Sequence, residues 1–482
     1  MDTLGIGIIG CGNISTTYLR LAPLFRGLKV RAVADLNMAA ALARAAEYGV
    51  QAQSVDDLLA NPALDVVINL TVPDAHFAVS QAILQAGKHI YSEKPLALSL
   101  ADGLALRDLA AARGLRVGCA PDTFLGGAHQ QARALIDEGR IGTVTAGSSA
   151  VMNHGMEHWH PNPDFFFLPG GGPMLDLGPY YIANLINLIG PVRRVGALTS
   201  CASATRRITS EPRSGQDIPV KTPTNIHALL EFATGATVNL STSWDVWAHK
   251  RVNMELYGTE GSLFVPDPNF FGGTVEWAGR DGRIGAVAPW DHPFGRPNQD
   301  HPGHGPLANY RTAGLADMAA ALIAGRDQRC SLDRTLHGVE VMTAVLQSGA
   351  TGQFVTLQTT CTRPAALRPA EAQALVACGG RLFFAEKSPP LGWVSHDPQP
   401  DPARLQPRSV NLPGRAGLLH RDRCLRVVCG QAEPSFGWSG HLAAIGRMTA
   451  SAARTRLVPA RSGCSCPASV LHLSPMTEAA CC

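Results

Sequence analysis

The sequence carries little net charge: 41 lysines and arginines against 38 acids leave +3 over 482 residues. Nothing in that balance calls for nucleic acid or an acidic membrane surface as a partner. Long apolar runs are also missing, so no stretch reads as a bilayer-spanning helix. The opening "MDTLGIGIIGCG" has an acid at Asp2 and no basic segment. It is expected to be a buried strand and not a secretory signal, which makes the cytoplasm the expected compartment. Cysteine is sparse through Leu367, where Cys11, Cys119, Cys201, Cys330 and Cys361 stand alone. That spacing argues against a disulfide framework and fits a reduced protein.

What is present is an ordinary globular composition, 45% hydrophobic and 16% charged. The length allows about two to four domains. Over the first 120 residues, short apolar runs alternate with helical stretches: "LGIGIIG" (4–10), "LKVRAVAD" (28–35), "LDVVINLT" (64–71), "KHIYSEK" (88–94) and "LRVGCAP" (115–121). Continuous apolar strands separated by helices predict an α/β domain, a doubly wound parallel sheet covered on both faces, over residues 1–122. The pattern then changes. A helix near 126–138 leads into strand-like runs at 143–152, 192–201, 225–244 and 251–267, with hairpin turns at "ATGA" and "GTEG". Helices are expected near 309–325 and 331–348, followed by a strand "QFVTLQTTC" (353–361). Residues 123–367 are therefore expected to form an α+β domain with an open, mainly antiparallel sheet. From 368 to 482 no period of two or 3.6 persists, and prolines, arginines and cysteines crowd together. This stretch is expected to be an irregular tail, either a genuine appendage or an out-of-frame end, and no function is assigned to it.

Chemistry begins at "GIIGCGNIS", where Gly10-x-Gly12-x-x-Ser15 follows a strand and opens a helix. Glycines there allow a tight turn and close approach of backbone N–H groups to a pyrophosphate. Ser15 is small enough to stand for the third glycine. Asp35 ends the second strand at about the expected distance and suits a ribose 2′-hydroxyl. Its charge repels a 2′-phosphate, so NAD is expected in preference to NADP. Lys94, in "SEKP" (92–95), lies at a strand's C-terminal end, where such sheets take ligands, in extended backbone ahead of Pro95. "GGGPMLDLGPYY" (170–181) sets Asp176 and Tyr180 four residues apart in an apolar helix, on one face of it.

Gly10-x-Gly12, Asp35, "TVPDAH" (71–76), "EKP" (93–95) and "GGGPMLDLGPYY", in this order, resemble the Gfo/Idh/MocA oxidoreductase family. The resemblance covers about residues 4–367. It implies a Rossmann domain, an open-faced sheet domain and NAD(P)-dependent redox chemistry on a sugar, cyclitol or related polyol. It implies cofactor contacts from Gly10, Gly12, Asn13, Ile14, Asp35, Thr71, Pro73, His76, Glu93 and Lys94. The family's catalytic lysine maps onto Lys94 and its aspartate onto Asp176. Where most members keep a histidine this chain has Tyr180, as in the branch similar to glucose–fructose oxidoreductase. Tyrosine is a weak base, with an ordinary pKa near 10, so a cation such as Lys94 and the positive nicotinamide must stabilise its ionised form. The expectation is that Tyr180 and Lys94 share proton transfer while Asp176 orients Lys94 or a substrate hydroxyl.

"MNHGMEHWHPNPDFF" (152–166) gathers His154, His158, Trp159 and His160. Imidazoles bond hydroxyls and an indole face stacks on a sugar ring, so substrate contact is the first reading, a structural loop the second, and a metal the third; no metal is expected. A second His- and Pro-rich loop (289–306) reads equally as a cover for the site or a surface excursion. Two other functions stay open at this point: a glycosidase using NAD transiently through oxidation and elimination, and a non-catalytic NAD-binding regulator. A homo-oligomer, dimer or tetramer, is expected.

Overall fold

A computed structural model describes residues 3–301 and 305–377. Its first layer is a six-stranded sheet: β1 (Leu4–Ile9), β2 (Leu28–Ala34), β3 (Gln51–Gln53), β4 (Val66–Asn69), β5 (His89–Ser92) and β6 (Val117–Cys119). Every neighbouring pair is parallel, in the order β3-β2-β1-β4-β5-β6. Helices α1 (Asn13–Leu21), α2 (Met38–Tyr48), α3 (Val55–Ala60), α4 (Pro73–Gln85) and α5 (Leu100–Arg113) make the crossovers. The strand order reverses beside β1, so the Gly10–Gly12 turn sits at the topological switch point where doubly wound sheets bind ligands. Strands β1 and β4 are buried on both faces, which explains their unbroken apolar sequence.

Helix α6 (Gly127–Asp137) leads to the second layer. Its nine-stranded sheet is built from β7 (Val144–Met152), β8 (Val192–Ser200), β11 (Asn225–Phe232), β12 (Thr237–Ser243), β13 (Met254–Gly258), β14 (Ser262–Val265), β15 (Glu276–Ala278), β16 (Gly285–Ala286) and β19 (Val355–Thr356). Two ribbons stand apart, β9 (Thr205–Arg207) with β10 (Asp217–Pro219), and β17 (Gln299–His301) with β18 (Gly305–Leu307). All pairs in the large sheet are antiparallel except β7 with β12. The turns "ATGA" and "GTEG" are the β11–β12 and β13–β14 hairpins. One face of the sheet is solvent-facing, which gives β11 its alternation of buried and exposed residues. The other face packs on α9 (Gly178–Leu188) and α11 (Leu332–Thr351), with α7 (Asp164–Phe167) and α8 (Pro173–Asp176) at its edge. Phe166, Phe167 and Trp244 are fully buried there in edge-to-face pairs. Helix α11 also touches α5, and α10 (Ala313–Ala324) packs on β6, so these two helices tie the second layer to the first.

Several elements depart from expectation. β3 and α3 have no counterpart in the sequence reading. The strand "QFVTLQTTC" shrinks to Val355–Thr356, because beyond it Glu340 captures the N–H groups of Gln358 and Thr359. Helix α10 starts at Ala313, not 309: Asn309 to Thr312 form a turn in which Thr312 takes φ 108°. Asp176 and Tyr180 do not share one helix. The helix breaks at Leu177, since Pro179 has no N–H to continue the ladder. Ordered structure also runs past 367: Pro369–Leu375 form α12, and Val376 bridges Phe25. The rest of the expected irregular tail, from 378, lies outside the described residues. The 289–306 loop is no surface excursion over its described part, for His292 and Phe294 are buried.

Candidate active site

The glycine turn is built for close approach. Gly10 adopts φ 104°, and a Cβ there would lie 2.6 Å from the Leu70 carbonyl. Gly12, the N-cap of α1, makes no side-chain cap, and a Cβ on it would meet nothing within 4 Å. The first turn of α1 therefore faces open space, with Asn13 exposed and Ile14 half-buried. That is the cradle a pyrophosphate needs. Asp35 accepts from Cys11 N–H at 2.7 Å and from Asn37 N–H at 2.8 Å. Its carboxylate thus staples the turn to the end of β2 while remaining part-exposed beside the cradle.

The residues after β4 are tied to one another. The Thr71 hydroxyl donates to Asn69 Oδ1 at 2.7 Å, and Pro73 opens α4. His76 is buried, with Nδ1 2.6 Å from the Pro95 carbonyl and Nε2 3.0 Å from that of Thr71. Burial pulls its pKa down, against the pull of those two carbonyls. His76 therefore clamps the loop after β4 to the loop carrying Lys94. Glu93 accepts from the Tyr18 hydroxyl at 2.8 Å and from Lys94 N–H at 3.1 Å, which fixes the backbone at Lys94 from beneath.

Lys94 is buried, and its Nζ donates to Asp176 Oδ1 at 2.8 Å and to the Asp176 carbonyl at 2.7 Å. The same ammonium lies 5.1 Å from the centroid of the Tyr180 ring. The break at Leu177 notwithstanding, both residues converge on one cation. Burial alone would lower the Lys94 pKa, but the Asp176 carboxylate, then Tyr180 and Glu93, outweigh it and hold the ammonium charged. Asp176 Oδ2 is buried with no hydrogen-bond partner among the described residues.

The histidine-rich segment divides. His160 lies within the electrostatic reach of Asp176 and packs edge-on against Trp159 and Phe166. Trp159 keeps a buried indole N–H with no partner among the described residues. His154 stacks on Trp247 with ring centroids 3.3 Å apart, and burial followed by the Arg206 charge lowers its pKa to about 4. His158 is exposed. Sequence reading did not single out Arg311 or Asp122. The Arg311 guanidinium sits 5.8 Å from the Tyr180 ring centroid and donates to the Asn269 carbonyl at 3.0 Å and to Asn269 Oδ1 at 2.9 Å. The Asp122 carboxylate accepts the N–H groups of Thr312 and Gly314. The available signal was weak: one arginine in "ANYRTAGLADM", and an acid just past the last parallel strand.

Residues 4–120 match the family model for an NAD-binding Rossmann fold of an oxidoreductase family, and residues 129–264 match that family's C-terminal domain. The chain belongs to the Gfo/Idh/MocA oxidoreductase family. Among its relatives, levoglucosan dehydrogenase of Pseudarthrobacter phenanthrenivorans is 26% identical over 294 residues, 55% of this chain and 73% of its own. Inositol 2-dehydrogenase of Salmonella typhimurium is 38% identical over 104 residues, 21% of this chain and 31% of its own. The matched segments of such curated relatives range from 31% to 76% of their lengths. Among solved structures, aldose–aldose oxidoreductase of Caulobacter crescentus superposes with TM-score 0.60 at 22% identity, over 74% of this chain and all of the other. Among the described residues no helix is long and apolar enough to cross a membrane.

Proposed function

We propose that this family member oxidises a secondary alcohol of a sugar, cyclitol or related polyol, or reduces the matching ketone, with NAD as hydride carrier. The observation that carries the proposal is the buried Lys94–Asp176 pair against Tyr180, in the crevice at the C-terminal ends of the parallel strands. NAD suits the residues present: the open Gly12 cradle takes its pyrophosphate and the part-exposed Asp35 its adenosine ribose. When bound, NAD supplies the acceptor for a hydride. The protein's share is the proton. Oxidation releases one proton from the substrate hydroxyl, and Tyr180 accepts it; in the reverse direction Tyr180 returns it to the ketone oxygen. Lys94 stabilises the ionised phenol, and Asp176 keeps Lys94 charged and aimed. Asp176 Oδ2 and Trp159 Nε1, without a partner among the described residues, are an acceptor and a donor suited to neighbouring hydroxyls. The names of the relatives, levoglucosan and inositol dehydrogenases, support the substrate class.

Self-association fits the exposed face of the large sheet, where Leu198 and Leu229 on neighbouring strands are 76% and 53% exposed. Sedimentation would give the assembly size. The test of function is a panel of sugars and cyclitols with NAD, read by absorbance of the reduced cofactor. Tyr180→Phe should lower turnover by about 10²–10⁴-fold with NAD affinity unchanged. Turnover equal to the parent's would sink the assignment of Tyr180 as the base.

A further inference from the structure

We propose that Arg206, carried on the β9–β10 ribbon, is a positioning residue of the polyol site: it fixes the 153–167 segment that offers Trp159 and His160 to substrate hydroxyls. The inference rests on the reading of this protein as a polyol oxidoreductase. Strands β9 and β10 pair with each other and join neither large sheet. Their bonds run instead to the segment after β7. Arg206 is buried, and its Nη2 donates to the His154 carbonyl at 2.9 Å and to the Trp244 carbonyl. Its Nε lies 3.1 Å from Glu157 Oε1 and its Nη1 3.5 Å from Asp245 Oδ1, charge pairs without hydrogen-bond alignment. One guanidinium thus joins the segment after β7, through His154 and Glu157, to the end of β12, through Trp244 and Asp245. Its removal would leave two largely buried carboxylates without the cation they share, so the segment must rearrange to hydrate them. The packing there is close: Gly155 takes φ 89°, and a Cβ on it would lie 2.8 Å from Arg206 Nη2.

A second set of bonds, independent of Arg206, ties the same two pieces. Thr209 N–H donates to the Glu157 carbonyl at 2.9 Å, Ser210 Oγ to the His160 carbonyl at 2.6 Å, and Lys221 N–H to the Phe167 carbonyl at 2.7 Å. The ribbon and its flanks therefore clasp the segment along its length. The segment in turn adjoins the reacting centre. Its Phe166 carbonyl accepts from Gly172 N–H at 2.7 Å, and the Gly172 carbonyl accepts from Asp176 N–H at 3.0 Å. The His160 ring is held as well: Asn162 N–H donates to Nδ1 at 3.1 Å, which leaves the ring proton on Nε2 as a donor for a hydroxyl. Asp176 has its own anchor in Lys94 at 2.8 Å. Loss of Arg206 therefore displaces the binding segment and leaves the proton-transfer groups in place. Misplacing positioning groups by about 1 Å costs up to about 10²-fold.

The test uses the full chain with NAD and a polyol turned over in the panel. Arg206→Met should raise the polyol KM by about tenfold or more, with kcat lowered less than about threefold and NAD affinity unchanged. Arg206→Lys, which keeps the charge and loses the planar fork, should recover part of that loss. An unchanged KM overturns the proposal. So does a fall in kcat or in NAD affinity as large as the rise in KM, because that pattern marks a general structural role. Should Arg206→Met fail to fold, Ser210→Ala removes only the hydroxyl bonds to the Glu157 and His160 carbonyls. It should raise KM by about threefold, and an unchanged KM there overturns the proposal. If no polyol reduces NAD, the proposed function falls and this inference with it. An active parent whose KM survives in the variants would remove the role of Arg206 alone.

Discussion

Lys94 Nζ bonds both the carboxylate and the main-chain carbonyl of Asp176, with only 7% of either side chain exposed. Removing one partner of a buried pair strands the other charge. Asp176→Ala should therefore cost about 3–5 kcal/mol in urea unfolding. The double variant Lys94→Met/Asp176→Leu, which removes both charges and keeps apolar volume, should recover most of that loss. It should stay inactive in the polyol panel. A single variant as stable as the parent would mean that the pair is solvated in solution.

The two fingerprint glycines should separate stability from cofactor binding. At Gly10 the φ of 104° and a Cβ 2.6 Å from the Leu70 carbonyl make Gly10→Ala a strained substitution, destabilising by about 1–3 kcal/mol. Gly12 has φ −71° and free space around its missing Cβ. Gly12→Ala should cost less than about 1 kcal/mol in thermal unfolding. Its methyl group enters the cradle, however, so NAD affinity by calorimetric titration should fall about tenfold or more.

These contrasts follow from what the sequence made legible. The fingerprint is local, and strands buried on both faces write themselves as continuous apolar runs, so the parallel sheet was readable; its switch point came only with the strand order. β3 was not, because a three-residue strand of Gln51, Ala52 and Gln53 has no period to detect. The pairing of Asp176 and Tyr180 was anticipated from a spacing of four, yet what unites them is convergence on Lys94 across a helix break. Arg311 was out of reach for a different reason. Its position depends on a turn held by Asp122, 190 residues away from Thr312 in sequence. No local pattern encodes a contact of that range.

Asp35 should set cofactor preference. Its carboxylate is held by two backbone N–H groups and lies part-exposed beside the cradle, where it suits a hydroxyl and repels a phosphate. Asp35→Asn keeps an acceptor for the turn and removes the charge. NAD affinity should drop and the NAD-to-NADP affinity ratio should narrow by about tenfold. An unchanged ratio in paired titrations would show that Asp35 serves only the turn.

Asp122 should leave its mark on stability as a function of pH. Burial raises its pKa from 3.8 to about 6, against the lowering effect of the Gly314 and Thr312 N–H groups and the Arg311 charge. Between those two values the folded chain holds the proton and the unfolded chain does not. Stability from this group therefore falls as pH rises from about 4 to about 6, by roughly 3 kcal/mol at most. The buried His129, His292 and His337 act in the opposite sense. Burial lowers each to about 4, so their contribution is present above about 6.5 and is lost as pH falls toward 4. The parent's profile is the sum of the two. Asp122→Asn has no titration here, so its stability should rise more steeply with pH across that window than the parent's. Denaturant midpoints taken at intervals from pH 4 to pH 7 check this, and parallel curves for the two proteins would refute it.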